Sequence, residues 1–325
     1  MDPKSIFSIQ NDGDFKTAAI SVFRYQYENN PVYRQFCDLM GIHLRKVKGI
    51  DQIPFLPIEF FKSRRVVCDT DRTDIVFSSS GTTSGQTSKH FVKDLSLYEK
   101  SFRESFRGFY GESQEYCILA LLPSYLERGG SSLVYMVNDL IESSGHPDSG
   151  FYLHNLPDLA GKLRLLEAKN TPTILIGVSY ALLDLAEAHP MKLRNTIVME
   201  TGGMKGRRKE LIREDLHKRL CEGFGLGSIH SEYGMTELLS QAYSDGKGVF
   251  QTPPWMKILI RSTEDPLSLQ PTGRSGGINI IDLANLYSCS FIATQDLGRL
   301  SPGGGFEVLG RFDNADIRGC NLMVT

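Results

Sequence analysis

Short apolar runs and longer stretches of helical spacing alternate through the middle of this chain. Residues 116–122, 173–177 and 195–199 read as strands, the first ended by Pro123 and the last closed by Glu200-Thr201-Gly202-Gly203. Around them, residues 95–109, 131–142, 156–170, 180–188 and 209–224 repeat apolar positions as amphipathic helices do. Short strands separated by such helices predict parallel βαβ units in a sheet covered on both faces. Upstream, Phe15, Ala19, Val22, Phe23 and Tyr27 predict a helix over residues 15–38, punctuated by Asn29-Asn30-Pro31. Ile53-Pro54-Phe55-Leu56-Pro57 is extended, because each proline biases its predecessor away from helix. Residues 75–77 read as a strand entering the polar string 78–89. Beyond Gly246, residues 255–261, 277–283, 290–294 and 306–310 are short apolar segments between Gly and Pro turns, which predicts a small antiparallel portion. No repeat or long linker divides the chain. A single unit over 1–325 is expected: a helical and extended region (1–73), an α/β body (74–245) and a β-rich portion (246–325).

Composition narrows the partners. The 36 Lys+Arg against 38 Asp+Glu leave a net charge of −2, too weak a field to hold a nucleic acid by counterion release. Apolar runs such as residues 174–178 are far shorter than a membrane span, and residues 1–10 lack a basic segment followed by an apolar one. The six cysteines (Cys37, Cys68, Cys117, Cys221, Cys289 and Cys320) contain no C-x-x-C pair, so reduced thiols and a cytoplasmic location are expected.

Four polar stations carry candidate chemistry. The string Ser79 to Lys89 mixes glycines with hydroxyl residues before a lysine, and such a loop offers backbone N–H groups, hydroxyls and one ammonium to a polyphosphate. It is not the G-x-x-x-x-G-K-[ST] pattern, and a solvated loop has the same composition. Tyr233-Gly234-Met235-Thr236-Glu237 joins an aromatic face to a carboxylate suited to Mg²⁺, although the start of a solvated helix would look alike. Asp296, after an apolar strand, could accept both ribose hydroxyls or cap a turn. Arg311 could offer its donor fork to phosphate or ribose oxygens, or form a surface ion pair.

In this order the stations resemble the acyl-adenylate-forming superfamily of acyl-CoA ligases, luciferase-type enzymes and peptide-synthetase adenylation domains. Ser80-Gly81-Thr82-Thr83 resembles that family's phosphate loop and Thr201-Gly202-Gly203 its adenine-edge turn. Tyr233 to Glu237 resembles its aromatic-Gly-x-Thr-Glu signature, Asp296 a variant Thr-Gly-Asp segment with Gln295 for Gly, and Arg311 its Gly-Arg-x-Asp hinge. Lys89 stands two positions from the usual loop lysine, and Ala315-Asp316-Ile317-Arg318 lacks the hinge lysine. The superfamily's mobile C-terminal lysine domain is expected to be absent after Thr325. Residues 15–42, Pro123-Ser124-Tyr125-Leu126-Glu127-Arg128 and Arg318-Gly319-Cys320-Asn321-Leu322-Met323 resemble the acyl-protein synthetases (LuxE-type) of bacterial fatty-acid reductase complexes.

The resemblance implies an adenylate-forming α/β fold and ATP-dependent conversion of a long-chain fatty acid to acyl-AMP, with the acyl group then carried on Cys320 to a reductase partner. It implies Mg²⁺ near Glu237, phosphate contacts from Ser80, Gly81, Thr82, Thr83 and Lys89, and Thr236 at the α-phosphate. Tyr233 and Gly234 with Gly202 and Gly203 would meet adenine, while Asp296 and Arg311 would meet ribose and phosphate. Two rivals stand beside this expectation: a ligase using an external thiol such as CoA, and a non-catalytic nucleotide-binding subunit. The remaining cysteines and His230 read as structural. The segment 133–140 reads either as lining for an acyl tunnel or as core.

Overall fold

Strands Cys117–Leu121 and Thr173–Val178 are buried along their whole length, which accounts for their unbroken apolar sequences. The computed structural model describes residues 3–68, 72–79, 87–123, 129–153, 155–202 and 211–312. Its first sheet runs Gly150–Phe151, Cys117–Leu121, Thr173–Val178, Thr196–Thr201, His230–Tyr233 and Ala242–Ser244. All neighbours in it are parallel except the last pair. Helices Ser132–Ser144, Leu156–Ala168, Ser179–Ala188 and Arg213–Phe224 alternate with these strands, as the spacing predicts. The first of them buries Val134, Met136, Val137 and Leu140, so these side chains serve as core.

The second sheet is antiparallel in the order Val249–Phe250, Phe306–Arg311, Phe291–Leu300, Ser275–Asp282 and Met256–Arg261. The extended Leu56–Pro57 segment joins it in parallel, pairing Leu56 with Ile292. A buried glutamine ties the N-terminal helix to the same region: Gln26 Nε2 donates to the Asn285 and Leu286 carbonyls at 3.0 and 2.8 Å. The expected helix over 15–38 is two helices, Asp12–Asn29 and Pro31–Leu39. Asn30 ends the first, and its side chain accepts from Val32 N and Tyr33 N to cap the second.

Three other expectations change. Lys89–Val92 is a strand that pairs antiparallel with Ile75–Ser78, so the Ser/Thr/Gly string connects a hairpin. His230–Tyr233 and Ala242–Ser244 are strands, and the Tyr233 station therefore ends a strand instead of opening a solvated helix. The helix expected over 209–224 begins at Arg213, with Leu211 and Ile212 outside it. Among the described residues no helix is long and apolar enough to cross a membrane.

Candidate active site

Strands Thr196–Thr201 and His230–Tyr233 run side by side, with Thr201 opposite Glu232. Both reach the carboxyl edge of the parallel sheet, where open α/β sheets take their ligands. Gly202 follows the first strand with φ +68°, a left-handed conformation open to glycine, and its carbonyl accepts from Ser179 Oγ. Gly234 follows the second. A Cβ there would lie 2.4 Å from Glu232 Oε1, so the missing side chain leaves room for a buried carboxyl.

That carboxyl is part of a buried acidic pair. Burial pushes Glu232 up to about 7, with Glu200 adding to the rise and the Thr201 hydroxyl opposing it. Burial also pushes Glu200 up, but His217, Arg213 and Ser231 together outweigh it and hold that carboxyl below its ordinary value. In the folded state Glu232 thus keeps a proton that an unfolded chain has already released. Its contribution to stability falls as pH rises from about 4.5 through 7. Glu232→Gln is expected to match wild type at pH 4 and to exceed it by on the order of 3 kcal/mol at pH 8.5. Parallel urea melts at the two pH values measure this, and a constant difference between the proteins would refute it.

The Tyr233 phenol donates to Asp296 Oδ2 at 2.7 Å, and Arg311 Nε donates to Asp296 Oδ1 at 3.0 Å. Asp296 lies inside Phe291–Leu300 and faces Arg311 across an antiparallel register, with a bulge immediately beyond, between Leu297 and Gly298. Asp296 does not cap a turn, and Arg311 forms an ion pair at the surface, because the ladder places the two side chains together. The Tyr233 ring is 9% exposed and packs on Phe250 and Phe306, with centroids at 5.8 and 5.5 Å. Gln295, standing where the family pattern has Gly, donates to Glu59 Oε1.

Glu237 is 5% exposed and its carboxylate accepts from Ser88, at the end of the polar string. Burial raises its pKa, while Ser88 and the charges of Arg311 and Lys62 counter the rise. The Thr236 carbonyl faces His90, and the Glu237 carbonyl accepts from Asn285. Just beyond, fully buried Asp282 accepts from the Leu239 and Ser240 amides and from the Ser240 hydroxyl. Lys89 is exposed and starts its strand opposite Ser78. His90, Asn285, Asp282 and Glu232 escape sequence reasoning, since none sits in a recognisable spacing. Two adjacencies, His90 to Lys89 and Glu232 to Tyr233, are the signals that point to any of them.

Ser80, Gly81, Thr82, Thr83, Gly203 and Cys320 lie outside the described residues. The other five cysteines are free thiols. Burial pushes Cys37 up to about 12 and Cys117 to about 11, and also raises Cys221 and Cys289. Among the described residues no cluster of three or more His, Cys, Asp or Glu side chains forms a metal site. A single carboxylate such as Glu237 fits Mg²⁺, which takes one or two protein oxygens with the rest from phosphates and water. A cleft of about 470 Å³, lined by Tyr110, His230 and Tyr243 among others, opens at the end of the His230–Tyr233 strand away from Tyr233. There Tyr110 OH and His230 Nδ1 stand 3.3 Å apart.

The paired sheets, with this turn at the carboxyl edge of one and Asp296 and Arg311 in the other, define an acyl-adenylate-forming enzyme fold. The chain overlays on ATP-bound MatB from Rhodopseudomonas palustris with a TM-score of 0.56 at 18% identity, over 75% of this chain and 49% of that one. It therefore spans about half the length of MatB. It overlays on 2-hydroxyisobutyryl-CoA ligase, in an open conformation with 2-HIB-AMP and CoA, with a TM-score of 0.67 at 13% identity, over 93% and 70%. The long-chain-fatty-acid–luciferin-component ligase of Vibrio harveyi is 24% identical over 333 residues, 93% of this chain and 85% of that protein. The family model for acyl-protein synthetase, LuxE, matches residues 162–325. The chain belongs to that family.

Proposed function

We propose that this protein uses ATP to activate a carboxylic acid and hands the acyl group to a thiol. In the first step a carboxylate oxygen bonds to the α-phosphorus, the bond to the bridging oxygen breaks, and pyrophosphate leaves. In the second a thiolate attacks the acyl carbon and AMP leaves with the electron pair of the broken bond. The observation that carries the reading is the position of Arg311. Its guanidinium bonds Asp296 at 3.0 Å, and the same carboxylate accepts from the Tyr233 phenol at 2.7 Å, so the Tyr233 station and the Asp296–Arg311 pair meet at one side chain.

Asp296 is suited to ribose hydroxyls, oriented by Tyr233 and Arg311; the Tyr233 ring, mostly taken up by phenylalanines, offers adenine only its remaining edge. Gly202, Gly203 and Gly234 are assigned to the adenine edge. Ser80, Gly81, Thr82 and Thr83 are assigned to the phosphates and Thr236 to the α-phosphate, where fixed donors stabilise charge developing in the transition state. Lys89, exposed on its strand, is assigned to the outer phosphates. Mg²⁺ held at Glu237 would neutralise phosphate charge. A long-chain fatty acid is the proposed substrate, in keeping with the luciferin-component ligase relative.

For the acceptor, Cys320 is the proposed thiol, with an acyl reductase as onward partner. Support comes from four of the other cysteines, whose raised pKa values make poor thiolates. A second reading, an external thiol such as CoA, is favoured by the likeness to 2-hydroxyisobutyryl-CoA ligase over 93% of the chain. Intact-mass and pyrophosphate measurements with ATP, Mg²⁺ and a panel of acids decide among these. Pyrophosphate release with a stable acyl adduct that Cys320→Ser abolishes, exchange being retained, is the expected result. Acyl-CoA formation without an adduct would install the second reading, and no pyrophosphate with any acid would overturn activation itself.

A further inference from the structure

His90 stands opposite Phe77 in the hairpin and is fully buried, its ring edge-on to Phe61 at 5.7 Å. Its Nδ1 lies 2.8 Å from the Thr236 carbonyl oxygen and its Nε2 lies 2.9 Å from Asn285 Oδ1. The orientation of the Asn285 amide follows from its other contacts: Nδ2 donates to the Glu237 and Cys289 carbonyls at 2.8 and 2.9 Å. Two residues before His90, Ser88 bonds the Glu237 carboxylate. The hairpin therefore grips the Thr236–Glu237 segment twice, by side chain and by main chain, across 146 positions of sequence.

We propose that His90 is a positioning residue for adenylation, holding the exit of the Gly/Ser/Thr loop and the Thr236–Glu237 segment in one fixed relation. Its value to catalysis rests on the adenylation reading above; the clamp itself rests on geometry. A buried polar contact of this kind is costly to break, because neither partner regains water. Both ring nitrogens face acceptors, so a neutral ring satisfies one at a time, and burial, which pushes its pKa down to about 4, keeps the ring neutral. The tautomer with hydrogen on Nδ1 is the one that holds Thr236.

The test uses substitutions that separate the two contacts. An asparagine amide nitrogen sits near the place of imidazole Nδ1, whereas phenylalanine keeps the ring shape and offers no donor. His90→Phe is expected to speed hydrogen exchange in the peptide over residues 235–239 by about tenfold. It should also lower kcat for ATP–pyrophosphate exchange by about 10²-fold, with KM for ATP within about threefold. His90→Asn is expected to recover most of both. Wild-type exchange in folded His90→Phe, or an asparagine variant no better than the phenylalanine one, would overturn the clamp. Should His90→Phe fail to fold, His90→Gln decides by the same peptide, since a glutamine amide nitrogen reaches the place of Nε2 and not that of Nδ1: exchange faster than in His90→Asn supports the clamp, and equal exchange sinks it. A wild-type protein that releases no pyrophosphate defeats the adenylation reading, and hydrogen exchange still decides for or against the clamp.

Discussion

Glu237→Gln is expected to lower ATP–pyrophosphate exchange by about 10³-fold, the scale of losing a preorganised electrostatic contact in a site shielded from water. The substitution keeps the shape of the side chain and an oxygen for Ser88, so the hairpin contact survives. It removes only the charge, and burial makes that charge expensive. Because burial raises the folded-state pKa, ionised Glu237 costs folding free energy above pH 4.5, a cost that disappears once the carboxyl is protonated. The variant is therefore expected to melt at or slightly above the wild-type temperature at pH 7.5 while losing activity. A destabilising charge retained where chemistry needs it is the pattern of a functional site. Thermal melts beside initial-rate assays at saturating Mg²⁺ and ATP provide the check. Activity within about threefold of wild type would remove Glu237 from the metal role.

The parts of the fold visible in the sequence are those in which burial is uniform. Cys117–Leu121 and Thr173–Val178 are buried at every position, so both faces select for apolar character and the strands read directly. Asn30-Pro31 marks its break less completely: the dipeptide reads as punctuation, but that one residue ends a helix and caps the next emerges only from the structure. The strand His-Ser-Glu-Tyr at 230–233 stays hidden, because its buried positions are polar. Ser231, Glu232 and Tyr233 are covered yet bonded, Glu232 to Thr201 and Tyr233 to Asp296. A pattern that counts apolar side chains passes over a strand stabilised by tertiary hydrogen bonds. Lys89–Val92 escapes for a related reason: one of its two inward positions is His90, whose partners lie 146 and 195 residues away. The stations are legible as local strings, whereas the register that joins Asp296 to Arg311 depends on a bulge with no sequence marker of its own.

Removing the Asp296 carboxylate is expected to have the second large effect, and to act on binding. Asp296→Ala should raise KM for ATP by about 10²-fold while kcat changes less, because ribose contacts act alike in the ground and transition states. It should also cost about 1–3 kcal/mol of stability, since the buried Tyr233 hydroxyl loses its acceptor. Tyr233→Phe separates these consequences. It keeps the ring against Phe250 and Phe306 and removes only the phenol, so it should cost about 1 kcal/mol and shift KM by no more than about threefold. The double variant should cost less than the sum of the two, because both substitutions delete the same hydrogen bond. Equal losses of stability with KM unchanged in Asp296→Ala would mark the carboxylate as scaffold alone, and the nucleotide would then have to be held from elsewhere. Arg311 makes that outcome unexpected. Its side chain is 72% exposed and would gain little by ordering itself on Asp296 for stability's sake. A guanidinium bonded to Asp296 and largely exposed to solvent is what the proposed ribose and phosphate role requires.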